Sequence, residues 1–346
     1  MFGIGIVEGF FGPEWLWASR HQFCEALPSY GGSFYIYAPK RDTFLRKNWT
    51  QKHTTETWNE LKRLSQKCHE NNIAFGVGLS PFELYANWSQ RTKQLLHDKL
   101  TLLHELDIQY LGLFFDDMKS APDLAERQLE IVDYVRRITD TAILFCPTYY
   151  THDPILDKVF GPRPPDYLEK IGHLPTGIQV LWTGSKVIPS SITATELDDV
   201  SKVLQRKAFV WDNYFANDGP KQCKFLKLRP LEGRSPEAFK RAAGWAFNLM
   251  NQPCCSEIVF ASAVEVLMGN ERSVDSFYRA AAHIAGPQFE FLLKQDGTFL
   301  TEVGLDAIQL DKKKDILTAL GKSRFSQELS DWFDGKYVVG QECLTD

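Results

Sequence analysis

Short runs rich in apolar, β-branched and aromatic residues recur along the chain, separated by longer stretches whose apolar positions return every three or four residues. The short runs are Ile4–Val7, Phe34–Ala38, Ala74–Gly78, Tyr110–Phe115, Ala142–Cys146, Ile178–Trp182, Phe209–Trp211 and Ile258–Ala261. Runs of this kind read as strands buried on both faces of a parallel sheet. The longer stretches read as amphipathic helices. In Thr55–Asn71, Thr55 is placed to cap, and Trp58, Leu61, Leu64 and Cys68 share one face. Arg91–Leu106 repeats the pattern with Leu96, Leu100 and Leu103, and Asp123–Ile138 with Leu124, Leu129, Val132 and Val135. Eight strands alternating with helices predict an α/β protein, a closed (β/α)8 TIM barrel rather than an open sheet. The chain up to residue 270 matches the usual barrel size of about 250 residues.

Past residue 270 the pattern changes. Ser273–Ala285 and Ser326–Phe333 have helical spacing, and Gly286-Pro287 breaks between them. The expected organisation is a catalytic barrel over 1–270 and a short C-terminal helical segment over 271–346, packed on the barrel. No repeat or low-complexity linker separates the two.

Composition narrows the possibilities. The chain has 346 residues, 44% of them hydrophobic and 24% charged, as in soluble globular proteins. A net charge of −5 without a basic tract argues against a nucleic-acid partner and against a strong attraction to membranes. No window approaches the 18 or so apolar residues of a spanning helix. The first residues look like a strand rather than a signal peptide. The seven cysteines are irregularly spaced, with no CxxC pair and no histidine at metal-ligand spacing. They are expected to be reduced thiols in a cytoplasmic protein. The sequons at Asn48 and Asn87 carry no weight without secretion.

In a parallel barrel the residues just after each strand share one rim, where active sites are built. That rim would collect Glu8 to Pro13, Lys40, Leu79 to Pro81, Asp116 and Asp117, Pro147 to Tyr150, Trp182 to Lys186, and Trp211 to Asp218. Asp116 and Asp117 stand out. Two carboxylates side by side at a strand end repel, so one should be held protonated while the other stays ionised. Aromatic rings that stack on sugar faces and planar polar groups that chelate hydroxyls together suit a carbohydrate. Singly, each residue has a plainer reading. The aspartate pair suits a helix N-cap, an isolated lysine a solvated turn, Trp182 and Trp211 core packing, and Asn213 and Asp218 a polar loop. Their joint placement is what argues for a site.

These same motifs resemble the β-N-acetylglucosaminidases of glycoside hydrolase family 84. The matching segments are Gly5 to Gly12, Tyr37 to Lys40, Phe114 to Asp117, Phe145 to Tyr150, Val180 to Gly184 and Trp211 to Asp218, with a weaker echo at Gly233 to Ser235. They run in order and cover the barrel. The resemblance implies an exo-acting retaining hydrolase without a protein nucleophile. The 2-acetamido oxygen of the substrate attacks the anomeric carbon and forms an oxazoline, one of the recognised exceptions to two-carboxylate hydrolysis. It implies that Asp116 orients the acetamide N–H and that Asp117 acts as general acid and then base. Tyr150 would bond the acetamide oxygen and Trp211 would wall the methyl pocket. Asn213 would steady the catalytic carboxylate or the sugar. Lys40, the Gly9 backbone and Asp218 would grip ring hydroxyls, and Trp182 joins the set through its motif. No metal or organic cofactor is implied. The implied partner is a glycoprotein or glycan bearing terminal GlcNAc, with a homodimer through the C-terminal helices as a further expectation. Two other readings remain: a non-catalytic GlcNAc-binding barrel, and an endo-acting, hyaluronidase-like hydrolase.

The chain departs from the family pattern in three places. Phe11 stands where tyrosine is usual, Arg41 follows Lys40 where an acid is usual, and Val259 falls near where a sugar-binding asparagine is expected. The last of these leaves the choice between gluco and galacto sugars open.

Overall fold

The computed structural model describes residues 2–343 and residue 345. Eight parallel strands close into a barrel in sequence order. They are β1 Ile4–Glu8, β2 Phe34–Tyr37, β3 Ala74–Leu79, β4 Tyr110–Phe114, β5 Ala142–Cys146, β6 Gln179–Trp182, β7 Phe209–Asp212 and β8 Trp245–Phe247. Around them run α1 Trp17–Ala26, α2 Thr55–Glu70, α3 Gln90–His104, α4 Leu124–Arg136, α5 Ile155–Phe160, α6 Tyr167–Ile171, α7 Ala194–Leu204, α8 Pro236–Arg241 and α9 Pro253–Met268. The C-terminal segment adds α10 Ser273–Ala285, α11 Pro287–Thr298, α12 Leu310–Leu320 and α13 Arg324–Phe333.

Seven strands fall where the hydrophobic runs place them. The eighth does not. Ile258–Ala261 lies inside α9, and the closing strand is the three-residue Trp245–Phe247, paired with both β7 and β1. The reason is burial. Helix α9 is enclosed on nearly every side, so its sequence is apolar almost throughout and shows no amphipathic period. A short apolar run taken from such a helix cannot be told from a buried strand by periodicity. Its ends do carry helical signals: Pro253 in the first turn and Gly269 in the left-handed conformation just past the last. In α2 the cap is Thr54 rather than Thr55, its hydroxyl accepting from the Thr57 amide at 3.2 Å.

The barrel interior is aromatic. At the N-terminal end Phe34 packs against Tyr110 and Phe209, with ring centres 5.8 and 5.9 Å apart. Toward the C-terminal end the Phe114 ring fills the centre. It leaves so little room that a Cβ on Gly112 would fall 2.5 Å from the Phe114 Cζ. Above Phe114 stands Trp211, ring centres 5.1 Å apart. This stack forms the floor beneath the rim.

Two buried ion pairs fix the strand ends that carry the rim loops. Glu8 closes β1 and binds Arg20 of α1 at 2.7 Å, with the Tyr35 hydroxyl as a second donor. Asp212 closes β7 and takes a two-pronged contact from Arg234 at 2.8 and 3.0 Å. The Trp245 indole N–H and the Tyr214 amide complete its shell. Pairing of this quality satisfies charges that would otherwise be costly to bury.

The C-terminal helices are tied to the barrel. Glu328 of α13 accepts from the Cys254 and Cys255 amides at 2.8 Å each, capping the first turn of α9 with a carboxylate. No helix among the described residues is long and apolar enough to cross a membrane.

Candidate active site

The C-terminal rim surrounds a pocket that opens to solvent. Gly9, Lys40, Asp116, Asp117, Tyr150, Trp211, Asn213 and Asp218 all line it. They arrive from β1, β2, β4, β5 and β7, though Gly9 and Asp218 are more than two hundred residues apart in sequence, because strand ends converge on one rim.

The aspartates differ in surroundings. Asp116 bonds the Lys40 ammonium through Oδ2, while its Oδ1 is buried and has no partner among the described residues. A buried carboxylate oxygen without a donor leaves the pocket ready for one. Asp117 sits with its Oδ2 3.8 Å from Lys40 Nζ, and its backbone adopts φ 56°, in the left-handed region. Aspartate tolerates that region better than most side chains, and single strained residues gather at functional sites. The turn swings the Asp117 carboxyl out of line with the strand. Burial raises the Asp117 pKa to about 6, against the pull of Lys40 and Arg46 and with added repulsion from Asp116 and Asp218. The sequence anticipated the direction but assigned it to repulsion within the pair. Desolvation is the larger cause.

The other side chains form the walls. Trp211 packs close against Gly9: a Cβ there would fall 2.4 Å from the Trp211 Cζ2, so the close approach requires glycine. Tyr150 is buried, and its phenol pKa is raised by burial and by the facing aspartates. Asp218 accepts from the Phe11 amide at 2.8 Å and thereby ties the β7 loop to the β1 loop. Asn213 donates to the Val187 carbonyl at 2.9 Å and accepts from Asn248 at 3.0 Å. Its amide bridges neighbouring loops rather than contacting Asp116 or Asp117.

Trp182 is the exception among the expected residues. It does not line the pocket. Side chains alternate across a strand, and Thr183, the next residue, takes the inward position. The Trp182 ring is turned to the helix side, edge-on to His152 at 4.8 Å and beside Val200 and Val203 of α7.

Several wall residues were not expected. Asn248 follows β8 directly and lines the pocket, with its Oδ1 buried and unpartnered among the described residues. It places an asparagine on the rim directly after the closing strand. Val259, by contrast, is fully buried in α9 and does not line the pocket. Misplacing the last strand hid Asn248, whose signal was the run Trp245 to Phe247 ending in an amide. Cys146 lay next to an expected rim segment and Thr183 within one. Cys343 and Thr345 had no local signal at all. The C-terminal segment brings them there: Trp332 donates to the Cys223 carbonyl at 2.9 Å, and Val339 packs on Phe11 and Cys223. This apolar cluster also suits phenylalanine at position 11, since a hydroxyl there would have to be desolvated. Arg41 extends outward to Glu342 of the same segment at 3.5 Å.

No group of three or more histidine, cysteine, aspartate or glutamate side chains among the described residues is arranged to hold a metal ion.

Comparison with known proteins agrees with this fold. The chain is 30% identical over 268 residues to the Protein O-GlcNAcase of Rattus norvegicus and equally to that of Mus musculus. The match takes in 73% of this chain and 28% of those proteins, so the chain spans little more than a quarter of their length. Among solved structures, a mutant of the Thermobaculum terrenum O-GlcNAc hydrolase superposes with a TM-score of 0.77 at 26% identity, covering 96% of this chain and 80% of that one. The β-N-acetylglucosaminidase family profile matches residues 4–292, which span all eight strands and every pocket residue through Asn248, and the chain belongs to that family.

Proposed function

We propose that this chain is an exo-acting, retaining β-N-acetylglucosaminidase that uses the acetamido group of its substrate as nucleophile. The observation carrying the proposal is the asymmetry of the pair at the end of β4. Asp116 is matched by Lys40 and keeps one oxygen without a partner among the described residues, while the Asp117 pKa is raised into the range of a general acid. In this reading Asp116 Oδ1 accepts the acetamide N–H, which aims the carbonyl oxygen at the anomeric carbon. As the C1–O bond to the aglycone breaks, the Asp117 proton passes to the leaving oxygen and the oxazoline closes. Asp117, now ionised, takes a proton from the water that reopens the ring, and configuration is retained. The negative charge of Asp116 stabilises the positive charge that develops on the acetamide in the transition state. Tyr150 donates to the acetamide oxygen, Trp211 walls the methyl group, and Lys40, the Gly9 backbone, Asp218 and Asn248 bind hydroxyls.

Residues 1–270 are then the catalytic barrel, and 271–346 a helical segment that lends Cys343 and Thr345 to the pocket wall. The substrate is a glycoprotein or glycan with terminal β-linked GlcNAc. A reducing, cytoplasmic setting fits seven cysteines that are all free.

The test is hydrolysis of a fluorogenic β-N-acetylglucosaminide and of its N-trifluoroacetyl analogue. Cleavage of the first with a steep fall on the second is expected, because fluorination weakens the acetamide oxygen as a nucleophile. Equal cleavage of both would point to a protein nucleophile, and cleavage of neither would remove the activity. A second expectation concerns the tryptophan turned away from the pocket. Trp182→Phe should destabilise the fold by roughly 1–3 kcal/mol through lost packing and leave KM on the same substrate unchanged. A thermal melt and a saturation curve measure the two effects.

A further inference from the structure

One loop supplies a cation to each aspartate. Between β2 and α2, Lys40 binds Asp116, and six residues later Arg46 reaches the backbone of Asp117, its Nη2 lying 3.3 Å from the Asp117 carbonyl oxygen. We propose that Arg46 is a positioning residue for the general acid: by holding the Asp117 carbonyl it fixes the left-handed turn that aims the carboxyl at the leaving oxygen. The proposal rests on Asp117 being the acid.

Three observations support it. First, the Asp117 backbone lies at φ 56°, a sparsely populated conformation for a non-glycine residue that a contact to its carbonyl helps to hold. The Arg46 contact is a long-range tie at that point, joining positions 71 residues apart. Second, the guanidinium is itself immobilised. It lies between the rings of Phe11 and Phe82, 5.6 and 5.3 Å from their centres, and the residue is only 9% exposed. A cation held between two aromatic faces keeps its direction. Third, the loop is braced from within. Asp42 accepts from the Phe44 amide at 3.0 Å, from the Tyr37 hydroxyl at 3.0 Å and from His53 Nε2 at 2.9 Å, and the Leu45 carbonyl accepts from the Ser80 amide at 2.8 Å. Lys40 and Arg46 are therefore presented by one rigid arm.

Arg46 also acts on the Asp117 carboxyl through space. The groups facing that carboxyl are Lys40 and Arg46 from the β2 loop, Asp116 beside it, Asp218 from the β7 loop, Tyr150 and Cys146 from the end of β5, and Cys343 from the C-terminal segment. Of these, the two cations are the ones that favour its ionised form. Removing the Arg46 charge must move the Asp117 titration upward.

The experiment compares wild type, Arg46→Met and Arg46→Lys on two aryl β-N-acetylglucosaminides, one with a poor and one with a good leaving group, across pH. For Arg46→Met the basic limb of kcat/KM should move to higher pH. kcat on the poor leaving group should fall by up to about 10²-fold, the size of effect a displaced catalytic group produces. The good leaving group, which needs little protonation, should lose much less, and KM should hold. Arg46→Lys should return the limb to its wild-type position while recovering only part of kcat, since an ammonium cannot both sit between the rings and reach the carbonyl. A merely structural role would reduce both substrates equally and leave the limb in place, and that result overturns the proposal. So does a limb that moves down in Arg46→Met. If Arg46→Met does not fold, Arg46→Lys decides alone: full kcat on the poor leaving group refutes positioning. An inactive wild type would remove the proposed activity and this inference with it, whereas an active wild type with an unmoved limb removes this inference only.

Discussion

Asp117→Asn is expected to lower kcat on a β-N-acetylglucosaminide with a poor leaving group by ~10²–10⁴-fold, the range general acid catalysis supplies. On an aglycone acidic enough to depart without a proton the loss should be much smaller. This contrast follows from the geometry. Asp117 is the carboxyl whose pKa is raised to about 6, so near neutral pH a useful fraction still carries the proton that an alkoxide leaving group needs. The pH dependence has a definite sign. The raised pKa means that the acid form is present below about 6 and is lost as pH rises through that value, so kcat/KM of the wild type should decline along a basic limb there. In Asp117→Asn that limb should vanish. Equal losses on good and poor leaving groups would show that Asp117 is not the acid.

Asp116→Asn has the second largest expected effect, of a different kind. An asparagine can still fill the space, but it carries no charge to stabilise the oxazoline-like transition state. A loss of about 10²–10³-fold in kcat is expected, the cost of removing a preorganised electrostatic partner, and it should be similar for good and poor leaving groups. The substitution also frees Lys40, whose Nζ is already 3.8 Å from Asp117 Oδ2. Lys40 would then pair with Asp117, and the repulsion from Asp116 would be gone. Both changes favour ionised Asp117, so the basic limb should shift to lower pH, opposite to the shift expected for Arg46→Met. Kinetics at several pH values on two leaving groups would separate the three side chains. A basic limb left in place by Asp116→Asn would show that the aspartates are not electrostatically linked as the structure places them.

The make-up of the pocket wall depends on where the barrel closes. With the last strand at Trp245–Phe247, Asn248 stands on the rim, hydrogen-bonded to Asn213 and with an oxygen that has no partner among the described residues. Reading α9 as that strand hid Asn248 from the rim. The Phe11 departure has a different origin: it belongs to a contact with Cys223 and Val339, residues more than two hundred positions away.

Local pattern determined most of the architecture. The alternation of short apolar runs with amphipathic stretches specified a barrel, because strands buried on both faces and helices buried on one have different periods. It also placed Asp116 and Asp117, Lys40, Tyr150, Trp211 and Asp218 on one rim, since residues following successive parallel strands must share it. Three things were decided only in the folded protein. Which way Trp182 and Thr183 face depends on strand register, where a one-residue difference turns a side chain from pocket to helix. Which segment closes the barrel depended on burial, which erased the helical period of α9. The contributions of Arg46, Cys343 and Thr345 come from contacts between segments remote in sequence. Such contacts leave no periodic trace in the chain, because they are set by where whole elements pack rather than by the order of neighbouring residues.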